Sequence, residues 1–171
     1  GVANALYPGR MVTAAVLVPL IVRAGDLHLL LTRRTDDLRD HPGQVSFPGG
    51  RVDAGDDSAL ATALRETEEE LGIPRSAVEL LGYLPPHAVV TGFVITPVVG
   101  LIDPAVAWCP DPVEVAEIFE VPWAFLRDPA NLARSVRHMH GVAIPLLEFR
   151  YGSHRIWGAT ANIINSLIKL I

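Results

Sequence analysis

The chain has one cysteine, one lysine, few charges and no apolar run long enough to span a bilayer. Cys109 alone cannot build an intrachain disulfide framework, which fits a reducing compartment. No neighbouring residue equips it as a nucleophile, so it reads as a buried or incidental thiol. Fourteen basic residues include only Lys169 as lysine, and the remaining arginines are planar donors suited to phosphate. A formal net charge of −5 excludes a nonspecific nucleic-acid binder, which carries a basic surface. The most apolar run, Met11 to Val22, falls short of the roughly 20 residues needed to cross a membrane and is interrupted by Pro19. Arg23 and a second apolar run follow it directly, so a buried strand is expected rather than a signal peptide. The expectation is a soluble, cytoplasmic protein.

What is present is enough apolar matter for a core. Half of the 171 residues are apolar and 19% are charged, which predicts one folded domain over residues 1–171. Met11–Arg23 and Leu27–Arg34 read as strands joined in a hairpin by Ala24-Gly25-Asp26. A polar stretch, Thr35–Pro42, precedes a short strand at Gln44–Phe47 and a loop at Pro48-Gly49-Gly50. Ser58–Leu71 is the clearest helix, capped by Asp57 or Asp56 and stopped by Gly72 and Pro74. Val78–Leu84 and Ala88–Ile102 follow as strands, the second broken by Gly92 and Pro97. Pro112–Phe119 reads as a short helix, with a turn near Trp123–Leu126. Ser135–His140 and Ile144–Tyr151 are later strands, leading to a turn at Gly152-Ser153. Ala159–Ile171 reads as an apolar helix, either packed inward or paired with a second copy in a homodimer. Strands between and around helices predict an α/β fold, a mixed sheet covered by helices.

The helix at Ser58–Leu71 carries the chemistry. At about 100° per residue, Leu60, Leu64, Thr67 and Leu71 share one side, its expected core face. Glu66, Glu69 and Glu70 fall within an arc of about 100° on the other side, beside Ala59, Thr62 and Ala63. Glu66 and Glu70 stand four apart, a like-charge pair that costs a few tenths of a kcal/mol in an isolated helix. A glutamate-rich helix is ordinarily just a solvated face. Here no lysine is interleaved, and the cluster follows a Gly-Gly loop. Three carboxylates at one place suit hard divalent cations that take oxygen ligands.

Arg65-Glu66-Thr67-Glu68-Glu69-Glu70-Leu71-Gly72-Ile73 is similar, position by position, to the core of the Nudix box. Thr67 stands where an aliphatic residue is usual, Asp57 holds the upstream glutamate position, and Gly50 is the box glycine. Leu30-Leu31-Thr32-Arg33-Arg34, then Arg39, Gly43 and Phe47-Pro48-Gly49-Gly50, resembles the extra signature of the coenzyme A pyrophosphatase branch. The resemblance implies a Nudix fold, an α/β/α sandwich around a mixed β-sheet. It implies Mg²⁺- or Mn²⁺-dependent hydrolysis of CoA or acyl-CoA to adenosine 3′,5′-bisphosphate and 4′-phosphopantetheine or its acyl form.

On that basis Glu66, Glu69 and Glu70 are the expected metal ligands, and Arg65 orients a glutamate through an ion pair. The general base is Glu69, or else Glu114 or Glu117 from the later segment. Arg33, Arg34 and Arg39 are candidate phosphate contacts, since guanidinium pairs bidentately with phosphate. Gly49 and Gly50 permit close backbone approach or unusual dihedrals. His41 lies in the signature loop, and His138 and His140 would face the same way on a strand, as surface or hydrogen-bonded histidines rather than a metal pair. Trp123 and Trp157 are core residues or adenine-stacking platforms. Competing readings are hydrolysis of another nucleoside diphosphate derivative, such as ADP-ribose, and a non-catalytic Nudix sensor. A third, a lipid-associated protein, is prompted by a mean hydropathy of +0.32.

Overall fold

The computed structural model describes residues 11–37, 43–89 and 92–171. Its centre is β1 (Val12–Arg23), hairpinned to β2 (Asp26–Arg34). Ala24 and Gly25, at φ 51° and 83°, form the two-residue link, and paired left-handed residues match the twist of such hairpins. On its other side β1 runs parallel to β7 (Phe93–Ile102). The sheet has β3 (Val45–Ser46) beside β2, and β5 (Val78–Tyr83) beside β7. β4 (Gly49–Arg51) pairs with β1, β6 (His87–Ala88) with β7, and β8 (Val115–Pro122) with β2, so the sheet is mixed.

Two prolines inside long strands show how this register is tolerated. Pro19 lies between the stretch of β1 paired with β4, which ends at Val16, and that paired with β2, which begins at Leu20. Pro97 lies between the β7 residues paired with β6 and those paired with β5. Each falls where a flanking partner changes, the place where a missing N–H does least harm.

The central strands are apolar throughout because both faces are covered. Ala15, Leu17, Ile21 and Leu30 pack with Ala63 and Leu71 of α1 (Ala59–Leu71) on one face. Val18, Leu20, Leu29 and Leu31 face the other way. There they meet α3 (Gly158–Leu170) and a small antiparallel sheet of β9 (Leu132–Met139), β10 (Val142–Tyr151) and β11 (His154–Trp157). Phe149 is fully buried in this second layer, where truncation to alanine would cost about 3–5 kcal/mol. α2 (Trp123–Leu126) seats Trp123 and Leu126 in the same core. The α/β/α sandwich expected from the sequence is therefore present.

Several expectations need correction. Pro112–Phe119 is not a helix. Val115, Ile118 and Phe119 mimic helical spacing, but the edge of β2 recruits the segment as β8, with Ile118 and Phe119 on opposite faces. Gly49–Arg51 is a short strand rather than a loop, and β11 directly follows the Gly152-Ser153 turn. Ser58 caps α1, in place of Asp56 or Asp57, its side chain accepting from the Ala61 N–H at 3.1 Å. Gly72 ends α1 in the left-handed conformation, as expected. The buried stripe of α1 is Thr62, Ala63, Thr67 and Leu71, while Leu60 and Leu64 are only half-buried. Small residues let the helix lie close to the sheet, which brings Glu66 and Glu70 onto the flank of the buried face rather than opposite it. His140, at φ 49°, sits in the β9–β10 turn, so it does not share a strand face with His138. Cys109 is exposed. α3 packs Ile163, Ile164 and Leu167 inward. Among the described residues, no helix is long and apolar enough to cross a membrane.

Candidate active site

Arg65 is the hub of the acidic helix. Its Nε and Nη2 donate to the two oxygens of Asp56 at 3.1 and 3.0 Å, a bidentate pair. Nη1 donates to Glu66 at 3.0 Å and reaches Glu69 at 3.4 Å. Asp53 and the Arg51 carbonyl lie 3.3 Å from Nη2. Asp56 is only 7% exposed and also accepts from the Thr62 hydroxyl at 2.8 Å and the Asp53 N–H at 2.9 Å. Arg65 above all, then these donors, hold its carboxyl well below the usual range, and Asp56 in turn raises Arg65. Asp57, at the upstream carboxylate position of the box, is exposed; its neighbour Asp56 is the residue that fixes Arg65. Consecutive aspartates at a loop–helix junction cannot be told apart by spacing.

Behind that clamp, Glu66 and Glu70 stand one turn apart against the sheet. Glu70 accepts from the Gly49 N–H at 3.1 Å. Its carboxyl is pushed up to about 8, mainly by burial and then by the charge of Glu66. Glu66 is also raised, mainly by burial, with Arg65 opposing. The two glycines of β4 are close-approach positions rather than sites of unusual backbone. A Cβ on Gly50 would sit 2.7 Å from the Glu66 carboxyl carbon, and one on Gly49 would sit 2.4 Å from the Ala15 carbonyl. β4 is thus a bare ledge on which both carboxylates lie.

A second segment closes on the end of the helix. Cys109 N–H donates to the Leu71 carbonyl at 2.7 Å and Asp111 N–H to the Glu70 carbonyl at 2.8 Å. Gly72 leaves room for this docking, since its Cβ would lie 2.9 Å from the Cys109 carbonyl. The loop then places Glu114, whose backbone carbonyl accepts from Thr35 N–H at 3.1 Å, where its charge raises both Glu66 and Glu70.

Glu70, Glu114, Gly49 and Gly50 line one end of a cavity of about 670 Å³. Thr32, Arg34 and Phe47 of the upstream signature line it as well, and Arg34 lowers Glu70 by its charge. Much of the remaining wall is apolar, with Val16, Phe93, Ile95, Met139 and Ile163, and Gln44, Ser46, Arg137 and Thr160 are among its polar members. His138 and Trp157 reach this cavity, whereas Trp123 is buried in the core. Apart from the candidates His138 and Trp157, the residues of β9, α3 and β7 had no sequence signal marking them, because they come from distant segments.

Glu69 flanks this site from the same helix, 59% exposed and paired with Arg65. The other nominated residues fall elsewhere. Arg33 and Glu117 face each other across β2 and β8 and line a separate cavity. Arg39 and His41 lie outside the described residues.

Among the described residues, no three histidine, cysteine or carboxylate side chains are already drawn into one coordination shell. The donor set nonetheless fits a hard cation. Two half-buried carboxylates one turn apart need positive charge beside them, and Mg²⁺ commonly uses one or two carboxylates, several waters and substrate phosphate.

The sequence profile of the NUDIX domain matches residues 11–139. A Salmonella paratyphi B protein and a Salmonella newport protein, each named Uncharacterized Nudix hydrolase NudL, are 46% identical to this chain over 165 residues, covering 90% of it and 80% of their own length. In fold, the chain is similar to DR0079 from Deinococcus radiodurans, with a TM-score of 0.61 at 14% identity over 91% of this chain and 83% of that one. The chain belongs to the Nudix family. It is a hydrolase of the diphosphate in a nucleoside diphosphate derivative, and enzymes of this family generally need divalent metal ions.

Proposed function

We propose that residues 1–171 form one domain that hydrolyses the diphosphate of CoA or an acyl-CoA, releasing adenosine 3′,5′-bisphosphate and 4′-phosphopantetheine or its acyl form. One observation carries the reading. Residues of the upstream signature, Thr32, Arg34, Phe47, Gly49 and Gly50, line the same cavity as Glu70 and Glu114. The apolar length of that cavity suits a pantetheine or acyl arm better than a second nucleotide.

Glu66, Glu69 and Glu70 are the residues that would hold Mg²⁺ or Mn²⁺. When bound, the cation supplies charge neutralisation on the phosphoryl oxygens and a lowered pKa for water. Arg65 holds Glu66 and Glu69 in place, and Asp56 holds Arg65. Water adds to one phosphorus, the bridging P–O bond breaks, and its electron pair leaves with the other phosphate. The proton released by the water needs a carboxylate at the cavity wall. Glu114 is favoured as that base, because it lines the cavity and its field reaches both Glu66 and Glu70. Arg34 lines the same wall, which supports its reading as a phosphate contact.

The test is product analysis by mass after incubation with CoA, acyl-CoA, ADP-ribose and diadenosine polyphosphates, with and without Mg²⁺ or Mn²⁺. Cleavage of CoA into the two named halves is expected. Turnover of ADP-ribose or dinucleotides with CoA left intact would replace this reading with a different Nudix substrate. No turnover of any of them would point to a sensor.

A further inference from the structure

A second cavity, of about 530 Å³, opens beside the first, and Gln44 and Trp157 line both. Successive strand residues point to opposite faces, so Arg34 lines the first cavity and Arg33 the second. Facing Arg33 across the second cavity are Ser153, His154 and Arg155, from the start of β11 and the turn before it.

The cationic groups are held ready rather than consumed. Glu117 Oε1 accepts from His154 Nε2 at 2.9 Å, and the His154 ring stacks on Phe119 with centroids 3.7 Å apart. Arg33 has carboxylate neighbours in Glu117 and Asp36, but at 3.6 and 3.9 Å. Those separations exceed the ordinary N–H···O range of about 2.7–3.2 Å, so neither saturates the guanidinium. Arg155 lies over the Trp157 ring at 4.7 Å. Among the described residues its hydrogen bond runs through Nε to Glu148, which leaves the two Nη groups for a ligand. Among the described residues, too, Glu117 is the one carboxylate on the wall, against two arginines, a histidine, a serine and an amide.

We propose that this second cavity is the subsite for a phosphomonoester on the nucleotide half of the substrate, gripped by Arg155 and Arg33 with Ser153 and Gln44 as neutral donors. On the functional reading above, on which the identity of the ligand rests, that group is the 3′-phosphate of CoA. A phosphomonoester carries close to two negative charges at neutral pH and three acceptor oxygens, a match for two guanidinium forks. The diphosphate lies at the acidic end of the first cavity, and the shared wall at Gln44 and Trp157 is where the ribose would pass between them.

The experiment measures binding of adenosine 3′,5′-bisphosphate and of adenosine 5′-monophosphate by calorimetry, on the wild-type protein and on Arg155→Gln and Ser153→Ala. The bisphosphate is expected to bind about tenfold or more tightly, the effect of a charge-assisted contact. Arg155→Gln should erase most of that difference, and Ser153→Ala part of it, with melting temperatures held near wild type. In turnover, the ratio of kcat/KM for CoA to that for 3′-dephospho-CoA should fall in the same variants, through KM. Equal binding of the two nucleotides, no binding of either, or an unchanged preference in folded Arg155→Gln would overturn the subsite. Failure to hydrolyse CoA while the bisphosphate preference persists would instead overturn the substrate assignment alone.

Discussion

The two adjoining cavities are built in different ways, one at an acidic end and one at a cationic end. At the acidic end, α1 supplies Arg65, Glu66, Glu69 and Glu70 within six residues, and the β4 ledge and the Glu114 loop close around them. At the other end, Arg33, Gln44, Arg155 and Trp157 come from β2, the segment before β3, and β11. The first end presents half-buried carboxylates whose repulsion calls for a cation; the second presents Arg33, only loosely paired, and Arg155, whose Nε is engaged by Glu148. On the proposed function, chemistry is concentrated in one helix and recognition is spread over the sheet edge, so substitutions should reduce kcat at the first end and raise KM at the second.

The sharpest way to break this contrast is at the acidic end. Glu66→Gln and Glu70→Gln should each lower kcat by roughly a thousandfold, about 4 kcal/mol of barrier, while circular dichroism stays unchanged. Near-normal turnover in either folded variant would remove the carboxylates from the chemistry.

Next in size is a pH effect on stability that should be confined to the acidic end. Burial raises Glu70 from an ordinary 4.5 to about 8 in the folded chain. The unfolded chain therefore loses this proton first as pH rises. The group's contribution is fully present below about pH 4.5 and is lost between there and about pH 8. With EDTA, melting temperature should fall across that window. Added Mg²⁺ or Mn²⁺ should restore it more at pH 8 than at pH 5.5, because the ligands must be deprotonated. Glu70→Gln should flatten both trends; if it leaves them unchanged, the titrating group lies elsewhere.

The glycine ledge gives a smaller and more pointed test. Gly50→Ala places a methyl 2.7 Å from the Glu66 carboxyl carbon, the end of a side chain that can swing away. It should fold and lose about 10–100-fold in activity, the scale seen when a ligand's supporting contacts are disturbed. Gly49→Ala instead meets the Ala15 backbone at 2.4 Å and should destabilise the protein by about 1–3 kcal/mol. Equal behaviour of the two variants would show that the ledge has no specific relation to Glu66.

What the sequence revealed follows the same division. The hairpin of β1 and β2, the C-terminal stop of α1 at Gly72 and the placement of Glu66 and Glu70 on one ridge were legible, because each depends on neighbours within a few residues. The core face of α1 was legible in part: Thr67 and Leu71 are buried as expected, but Leu60 and Leu64 outrank Thr62 and Ala63 in hydrophobicity and not in burial. β8 was misread because Val115, Ile118 and Phe119 fit a helical period until β2 claims them as a partner. β4 has glycines where a strand pattern would need side chains, and the four residues of β11 are too short a run to show one. Arg155 and Ser153 carried no signal, because only the fold sets them opposite Arg33.

Asp56 and Asp57 supply the finest distinction, two identical side chains one residue apart. Asp56 is nearly buried and binds Arg65 bidentately, while Asp57 is exposed. Asp56→Asn keeps the shape but removes the charge facing Arg65, whose guanidinium would then be shared differently among Asp53, Glu66 and Glu69. The variant should lose about tenfold in kcat, as for a residue acting through a ligand's neighbour, with KM little changed. Its activity should also show a shifted pH profile, which a purely structural role would not produce, and Asp56→Glu should recover part of the loss. Asp57→Ala should stay within about 0.5 kcal/mol in stability and near wild type in rate, as an exposed position does. A large loss in Asp57→Ala with a silent Asp56→Asn would move the anchoring of Arg65 one residue along the chain and return Asp57 to the upstream carboxylate position of the box.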